Sequence, residues 1–222
     1  DVVRAPKATI ILLGDEIVLD GLPHDGLVRD ALGPQLPGWL QRLGVEVIAT
    51  EYISDELNLV VDAFAKAAKS SDIIFTTGGT ADGPRDHVHA AIAELKGELI
   101  DDRVKVRPGH PMLLAHINNV PLVGLPGNPQ SAIVALLTLG QPVIDALMGR
   151  KKVELNQIVT GDDIEVPEGF TRLVLGNVVD GWFEMGEYLG SAMLRGLAHS
   201  TGFAVADKSM EEGEMIAWLP LP

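Results

Sequence analysis

The sequence predicts an α/β fold, a three-layer arrangement around a parallel sheet, followed by a small all-β unit shaped as a half-barrel. Short continuous apolar runs at 8–13 and 72–77 read as strands buried on both faces. Between such runs, apolar residues recur at helical spacing, at Leu57, Val60, Val61 and Phe64 and again at Val88, Ala91, Ile92 and Leu95. Alternating strands and helices of this kind build a parallel sheet with helices on both faces. Beyond Gly149-Arg150-Lys151-Lys152 the stripes stop, and short β-like runs follow between turns rich in Gly, Asp and Pro. The expected division is therefore 1–150 for the α/β unit and 151–222 for the β unit, the second near the lower size limit for independent folding.

Each element has its own signal. The run at 8–13 enters a stretch at 14–38 rich in Gly, Pro and Asp, expected to be loop with a broken helix. Residues 39–43 form a short helix stopped by Gly44. A strand at 45–53, a helix from about 55 and the strand at 72–77 follow, then a helix at 86–96. Strands are expected at 98–106 and 120–125, and a last helix at 131–147, bent near Pro142. In the β unit, runs at 155–159, 171–179, 182–185, 203–206 and 215–219 are strands, with a short helix near 191–198. The loops at 14–26, 54–55, 78–86 and 126–131 all follow strands, so they can converge on the carboxyl edge of the sheet, where such folds bind ligands.

Composition narrows the function classes. The 222 residues are 46% hydrophobic, yet no apolar run approaches the roughly 20 residues of a membrane span. No leader pattern is visible, so the cytoplasm is the expected compartment and no membrane partner is expected. With no cysteine, disulfides, thiolate metal sites and cysteine nucleophiles are excluded. The net charge of −14 argues against nucleic acid, whose phosphates need a basic face. A phosphorylated ligand would need local cations, and Arg85, Arg103, Lys105 and Arg107 do concentrate in one stretch.

Two loops stand out. In Leu125-Pro126-Gly127-Asn128-Pro129-Gln130-Ser131 the prolines remove two donors and stiffen the turn, while Gly127 allows close approach or a positive φ. Asn128 tolerates left-handed backbone, and Ser131 with the first helical amides can face an anion. A plain strand-to-helix turn with Pro near its first position has the same pattern. Upstream, Thr77-Gly78-Gly79-Thr80 runs through Asp82 and Arg85 to Asp86, a strand–glycine loop–helix unit that suits anions.

Taken together, the motifs resemble the C-terminal half of a MoeA-type molybdopterin molybdenumtransferase, called gephyrin E in animals. Leu13-Gly14-Asp15-Glu16-Ile17 resembles the family's Thr-Gly-Asp-Glu-Leu, and Ser54-Asp55-Glu56 its Asp-Asp step. The glycine loop ending at Asp86 resembles its Gly-Gly loop, and Arg107-Pro108-Gly109-His110-Pro111 its Lys-Pro-Gly-Lys-Pro. Residues 125–131 resemble its Leu-Pro-Gly-Asn-Pro-x-Ser, and Gly190-Ser191-Ala192-Met193-Leu194 an element of its last domain. The family carries two further domains before this region, so the chain reads as a fragment or a short relative.

The resemblance implies a MogA/MoeA-like molybdopterin-binding domain and the last step of molybdenum cofactor synthesis. Molybdate and adenylylated molybdopterin would be the substrates, with Mg²⁺ as cofactor and AMP released. It implies catalytic roles for Glu16, Asp55 and Asp86, with Glu16 and Asp86 on the metal. It implies substrate contacts for Thr77, Gly78, Gly79, Thr80, Arg107, His110, Pro126, Gly127, Asn128, Pro129, Ser131 and Ser191. It also implies a homodimer and contact with the pathway's adenylyltransferase. Read without the family, Asp86 and Asp55 are equally good helix caps and Glu16 an ordinary loop carboxylate. Two family lysines are Arg107 and His110 here; Arg keeps the charge, whereas a free His is mostly neutral at pH 7. The loop after Glu16 lacks the usual Asp-Ser-Asn and offers Arg29-Asp30-Ala31-Leu32 instead. His87 and His89 are two apart on a helix and so diverge, which argues against a metal pair.

Two other functions share part of this pattern. The glycine loop also resembles a MogA-type adenylyltransferase, against which the β unit and the Pro-Gly-Asn-Pro element argue. A non-catalytic molybdopterin-binding module, or a competence-protein-like domain, is the other.

Overall fold

The structure, a computed structural model, describes residues 3–80, 86–187 and 190–222. In chain order the elements begin with β1 (Lys7–Leu13), β2 (Ile17–Val18), β3 (Val28–Arg29), α1 (Leu36–Arg42), β4 (Glu46–Ile53), α2 (Leu57–Ala67) and β5 (Ile73–Thr77). There follow α3 (Val88–Glu94), β6 (Glu98–Asp102), β7 (Val106–Arg107), β8 (Leu113–Ile117), β9 (Val120–Leu125), α4 (Pro129–Ala135) and α5 (Gln141–Leu147). The rest is β10 (Asn156–Thr160), β11 (Thr171–Val179), β12 (Trp182–Met185), α6 (Leu194–Ala198), β13 (Gly202–Ala206) and β14 (Met215–Pro220).

The first sheet runs β4-β1-β5-β9-β8-β6. Its first four strands are parallel, and β8 and β6 are added antiparallel, so the sheet is mixed at one side instead of wholly parallel. The cause is local. Asn118 and Asn119 both take positive φ, the backbone of a tight hairpin that turns β8 straight into β9. The strand expected at 98–106 is in fact two, β6 and β7, broken at Arg103 (φ 53°).

Helices cover both faces. On one, Val60, Ala63 and Phe64 of α2 and Val88, Ala91 and Ile92 of α3 meet Ile11, Ile74 and Leu122 of the sheet. On the other, α1 and α4 bring Leu36, Leu40, Ala132 and Ile133 against Ile10, Phe75 and Val123. The stretch Pro129–Leu147 is long and apolar enough to cross a membrane, but it is a core element here. A π-helical turn at Leu136–Gly140 separates α4 from α5, with the Gln141 N–H reaching back to Leu136 O. Pro142 has no N–H to give an α-helical bond, and the widened turn just before it absorbs that loss.

The second sheet runs β12-β10-β14-β13-β11-β7, and β12 also pairs with β11. The half-barrel expected from the sequence is thus closed. Its filling comprises Ile164, Val174, Phe183, Ala204, Ile216 and Trp218. The β7 strand joins from the first half of the chain, parallel to β11, with Arg107 opposite Arg172. Leu173, Leu175 and Phe203 point the other way, into the same core as Ile10 and Val123.

Candidate functional site

The four parallel strands end in register: Leu13 lies beside Ile53, Leu12 beside Thr77, and Thr77 beside Leu125. Their loops therefore emerge together. At Gly78 (φ 76°) a Cβ would lie 2.8 Å from Leu13 O, so only glycine allows the crossing. Gly127 does not take positive φ, and a Cβ there would meet nothing nearer than Gly78 Cα at 4.0 Å, so neither reason offered for a glycine applies at this position. Asn128 is likewise extended (φ −71°, ψ 125°), not left-handed.

Two adjoining cavities open here. The larger, about 610 Å³, is lined by Glu16, Arg29, Asp30, Thr77, Gly78, Gly79, Thr80, Gly127 and Pro129, with Ala192 and Leu194 from beyond the barrel's third strand. The smaller, about 340 Å³, holds Arg107, His110, Ser131, Arg172 and Ser191. Pro111, Pro126 and Asn128 belong to both and form the common wall.

The smaller cavity is basic in a protein of net charge −14. The β7–β11 pairing sets Arg107 opposite Arg172 on adjacent strands, and both line this cavity. Arg107 stacks over Phe170, its Cζ 4.9 Å from the ring centroid, and His110 meets the same ring edge-on at 5.4 Å. His110 Nδ1 donates to Val104 O at 3.1 Å, which leaves Nε2 as the ring nitrogen for a ligand. Arg172 Nη1 is tied to Glu165 O at 2.7 Å. The first α4 amide does not face an anion, because Gln130 N donates to Ser191 O at 2.9 Å. Asn128 Nδ2 reaches Ser191 Oγ at 3.5 Å, so Ser191 does approach the site from the tail.

The three carboxylates singled out in the sequence lie on neighbouring loops, linked by the Asp15–Asp55 and His87–Asp55 hydrogen bonds. Glu16 lines the larger cavity. Asp55 lies in neither cavity and exchanges hydrogen bonds with Asp15, Asp55 N to Asp15 Oδ1 at 3.2 Å and Asp15 N to Asp55 Oδ2 at 3.4 Å. It does not cap α2, whose N-cap is Glu56 with no side-chain bond. Asp86 is buried behind Gly79, with Oδ1 3.4 Å from Val88 N and 3.9 Å from His89 Nδ1. The helix begins at Val88, two residues later than the periodicity predicts. His87 Nε2 donates to Asp55 O and His89 Nε2 to Asp102 Oδ1, both at 3.1 Å. Among the described residues no three His, Asp or Glu side chains gather as a metal cage. Asp82 and Arg85 lie outside the described residues.

Sequence reasoning passed over Arg172, Gln130 and Phe170, and did not see the use of Asp30. Asp30 Oδ1 accepts from Leu32 N (3.0 Å) and Gly33 N (2.9 Å), and Oδ2 accepts from Tyr52 Oη at 2.7 Å. This pins the loop after Glu16 to β4. Burial, and then the bond to Asp30, pushes the Tyr52 phenol up to about 12.

Comparison with known proteins places this geometry. The family model described as "Probable molybdopterin binding domain" matches residues 9–146. A curated "Molybdopterin molybdenumtransferase" of Staphylococcus aureus (strain COL) is 26% identical over 176 residues, 78% of this chain and 42% of its own length. The chain thus spans under half the length of such relatives. The crystal structure of the molybdopterin biosynthesis MoeA protein of Pyrococcus horikoshii superposes with a TM-score of 0.82 at 23% identity, over 99% of this chain and 55% of that one. The molybdopterin biosynthesis Mog protein of Mycobacterium ulcerans gives 0.51 at 21% identity over 68% of this chain, although all of that protein is covered. Both sheets therefore share the MoeA fold, the Mog likeness stops short of the whole chain, and the chain belongs to the molybdenum cofactor biosynthesis family of molybdopterin-binding domains.

Proposed function

We propose that this chain carries the metal-insertion site of a molybdopterin molybdenumtransferase, holding adenylylated molybdopterin in the larger cavity and molybdate in the smaller. The observation that carries this reading is the common wall of Pro111, Pro126 and Asn128, which sets a basic pocket beside the glycine loop. A tetrahedral dianion suits two guanidinium groups and two hydroxyls. Holding both substrates against one wall converts a meeting of two repelling anions into a step between neighbours. Thr77, Gly78, Gly79 and Thr80 would face the pterin's phosphates, and Glu16 would orient water or substrate beside them.

Mg²⁺ fits this donor set only as a shared ion. It commonly takes one or two carboxylates and completes its shell with water and substrate phosphates, and Glu16 is the carboxylate placed to hold it that way. When bound it would neutralise phosphate charge. Asp86, behind Gly79, would support the loop from beneath. Full turnover, assembly as a homodimer and contact with the pathway's adenylyltransferase belong to the same reading.

The test is molybdate-dependent AMP release from adenylylated molybdopterin, with light scattering for the dimer. Release supports insertion. ATP-dependent AMP transfer would identify an adenylyltransferase instead, and pterin and molybdate binding without release would identify a binding module.

A further inference from the structure

The outer face of the barrel carries an apolar row that belongs to neither cavity. Strands β11, β12, β10 and β14 lie side by side there, and Val179, Trp182, Val159 and Met215 stand in register across them. Residues paired in register share a face. Phe183 and Ile216, one position along, fill the barrel, so this row points outward. Met215 is 55% exposed, Trp182 44% and Val179 43%, and Val159 is half-buried. Exposed apolar residues scattered singly are ordinary, whereas a contiguous row marks an interaction surface. The row sits at the opposite end of β11 from Arg172. The turns beside it are acidic: 161–163, 180–181 and 211–214 hold six carboxylates and neither Lys nor Arg. They are also held in place, since Asp163 Oδ1 accepts from Glu212 N at 2.9 Å and Gly213 N donates to Thr160 O at 2.8 Å.

We propose that this row is a docking surface for a basic amphipathic helix of a partner protein, the helix lying across the four strands with its Lys or Arg residues against the acidic turns. Neighbouring strands are about 4.8 Å apart, so the row is roughly 14 Å long, the rise of about ten helical residues. Apolar side chains at i, i+3, i+4 and i+7 give a stripe of comparable length. Charge selects the occupant. A second copy of the chain, with its net charge of −14, would bring acidic surface against the acidic turns, and an anionic membrane would be repelled in the same way. Four partly exposed side chains also fall well short of the roughly 800 Å² per partner of a standard stable interface. Within the row, Trp182 is the residue type that most often anchors an interface, and the flexible Met215 adapts to the side chain it meets.

The test is fluorescence anisotropy of a labelled synthetic helical peptide, Leu at i, i+3, i+4 and i+7 and Lys elsewhere, titrated with the full chain as wild type, Trp182→Ser, Met215→Ser and the pair Glu211→Gln with Glu212→Gln. A peptide with Ser for Leu, one with Glu for Lys, and phosphatidylserine vesicles are the competing probes. The wild type is expected to bind the Leu–Lys peptide, more weakly as salt is added. Each row variant is expected to lose about tenfold in affinity at an unchanged melting point, and the acidic-turn pair about threefold. Met215→Ser, at the most exposed position of the row, decides the matter if Trp182→Ser melts early. A wild type that ignores the Leu–Lys peptide overturns the proposal. So does affinity within about twofold of wild type in Met215→Ser, or equal binding of the Ser–Lys peptide, because charge alone then accounts for the contact. Preference for the Leu–Glu peptide or the vesicles overturns it too, the vesicles identifying a membrane face instead.

Discussion

Phe170 is a single ring that holds two side chains from another segment. Arg107 lies over its face and His110 against its edge, so the aromatic group fixes half of the basic pocket without lining it. Phe170→Leu keeps an apolar side chain and removes the quadrupole. We expect molybdate affinity to fall about fivefold, in line with roughly 1 kcal/mol for a cation–π contact, with Phe170→Tyr restoring it; calorimetry checks both. Tyr52 makes a second residue-scale case. Its phenol ionises in the folded chain near 12, against about 10 when unfolded. The folded state therefore holds the extra proton between those values, and the stability this contributes is complete below pH 10 and drains away as pH rises toward 12. Alkaline titration of phenolate absorbance should show one of the chain's two tyrosines ionising late, and Tyr52→Phe should remove that late step. Legibility at this scale followed motif membership. Arg107, His110 and Ser131 were visible because their neighbours are prolines and glycines that need a reason. Arg172 was not, because in sequence it is one more residue of an alternating strand, and only the register of β7 on β11 brings it to Arg107.

Elements with a strong period were read closely. Strand β9 and the stripe of α2 fall where the apolar spacing puts them, since burial is what spacing encodes. Strand β8 escaped notice because Leu113–Ile117 is short and interrupted by His116, although the Asn118-Asn119 pair beyond it was a hairpin signal. Strand β7 has two residues and no local pattern at all. Closure of the barrel was equally hidden, being a matter of strands meeting across the chain. The seam has a tight point at Gly176, where a Cβ would collide with Glu184 O and lie 2.5 Å from the Phe183 ring. Gly176→Ala should therefore part β11 from β12 and destabilise the chain by about 2 kcal/mol, measured by urea unfolding. Gly181→Ala in the adjoining turn meets nothing within 4 Å but strains a φ of 88°, so it should cost less, about 1 kcal/mol.

At the scale of the molecule the two sheets are not independent. Leu173, Leu175 and Phe203 of the barrel share a core with Leu36, Phe75 and Val123, and β7 is hydrogen-bonded into the barrel sheet. Calorimetric unfolding should accordingly show one cooperative transition, and saturating molybdate should raise its midpoint as any ligand of the native state does. The change of pattern after residue 149 was legible as a change of secondary structure, whereas the shared core was not, because nothing local to β11 says which neighbour its inward side chains will meet. The β7–β11 pairing also sets an order of events during synthesis. Residues 106–111 leave the ribosome long before 170–175, so the α/β layers can collapse while the chain is still growing, yet the basic pocket has only one wall until the strand carrying Arg172 emerges and docks. A nascent chain stalled before that strand would lack part of the shared core and one wall of the pocket, so on the proposed reading acquisition of molybdate binding would mark the moment at which the strands carrying Arg107 and Arg172 have paired.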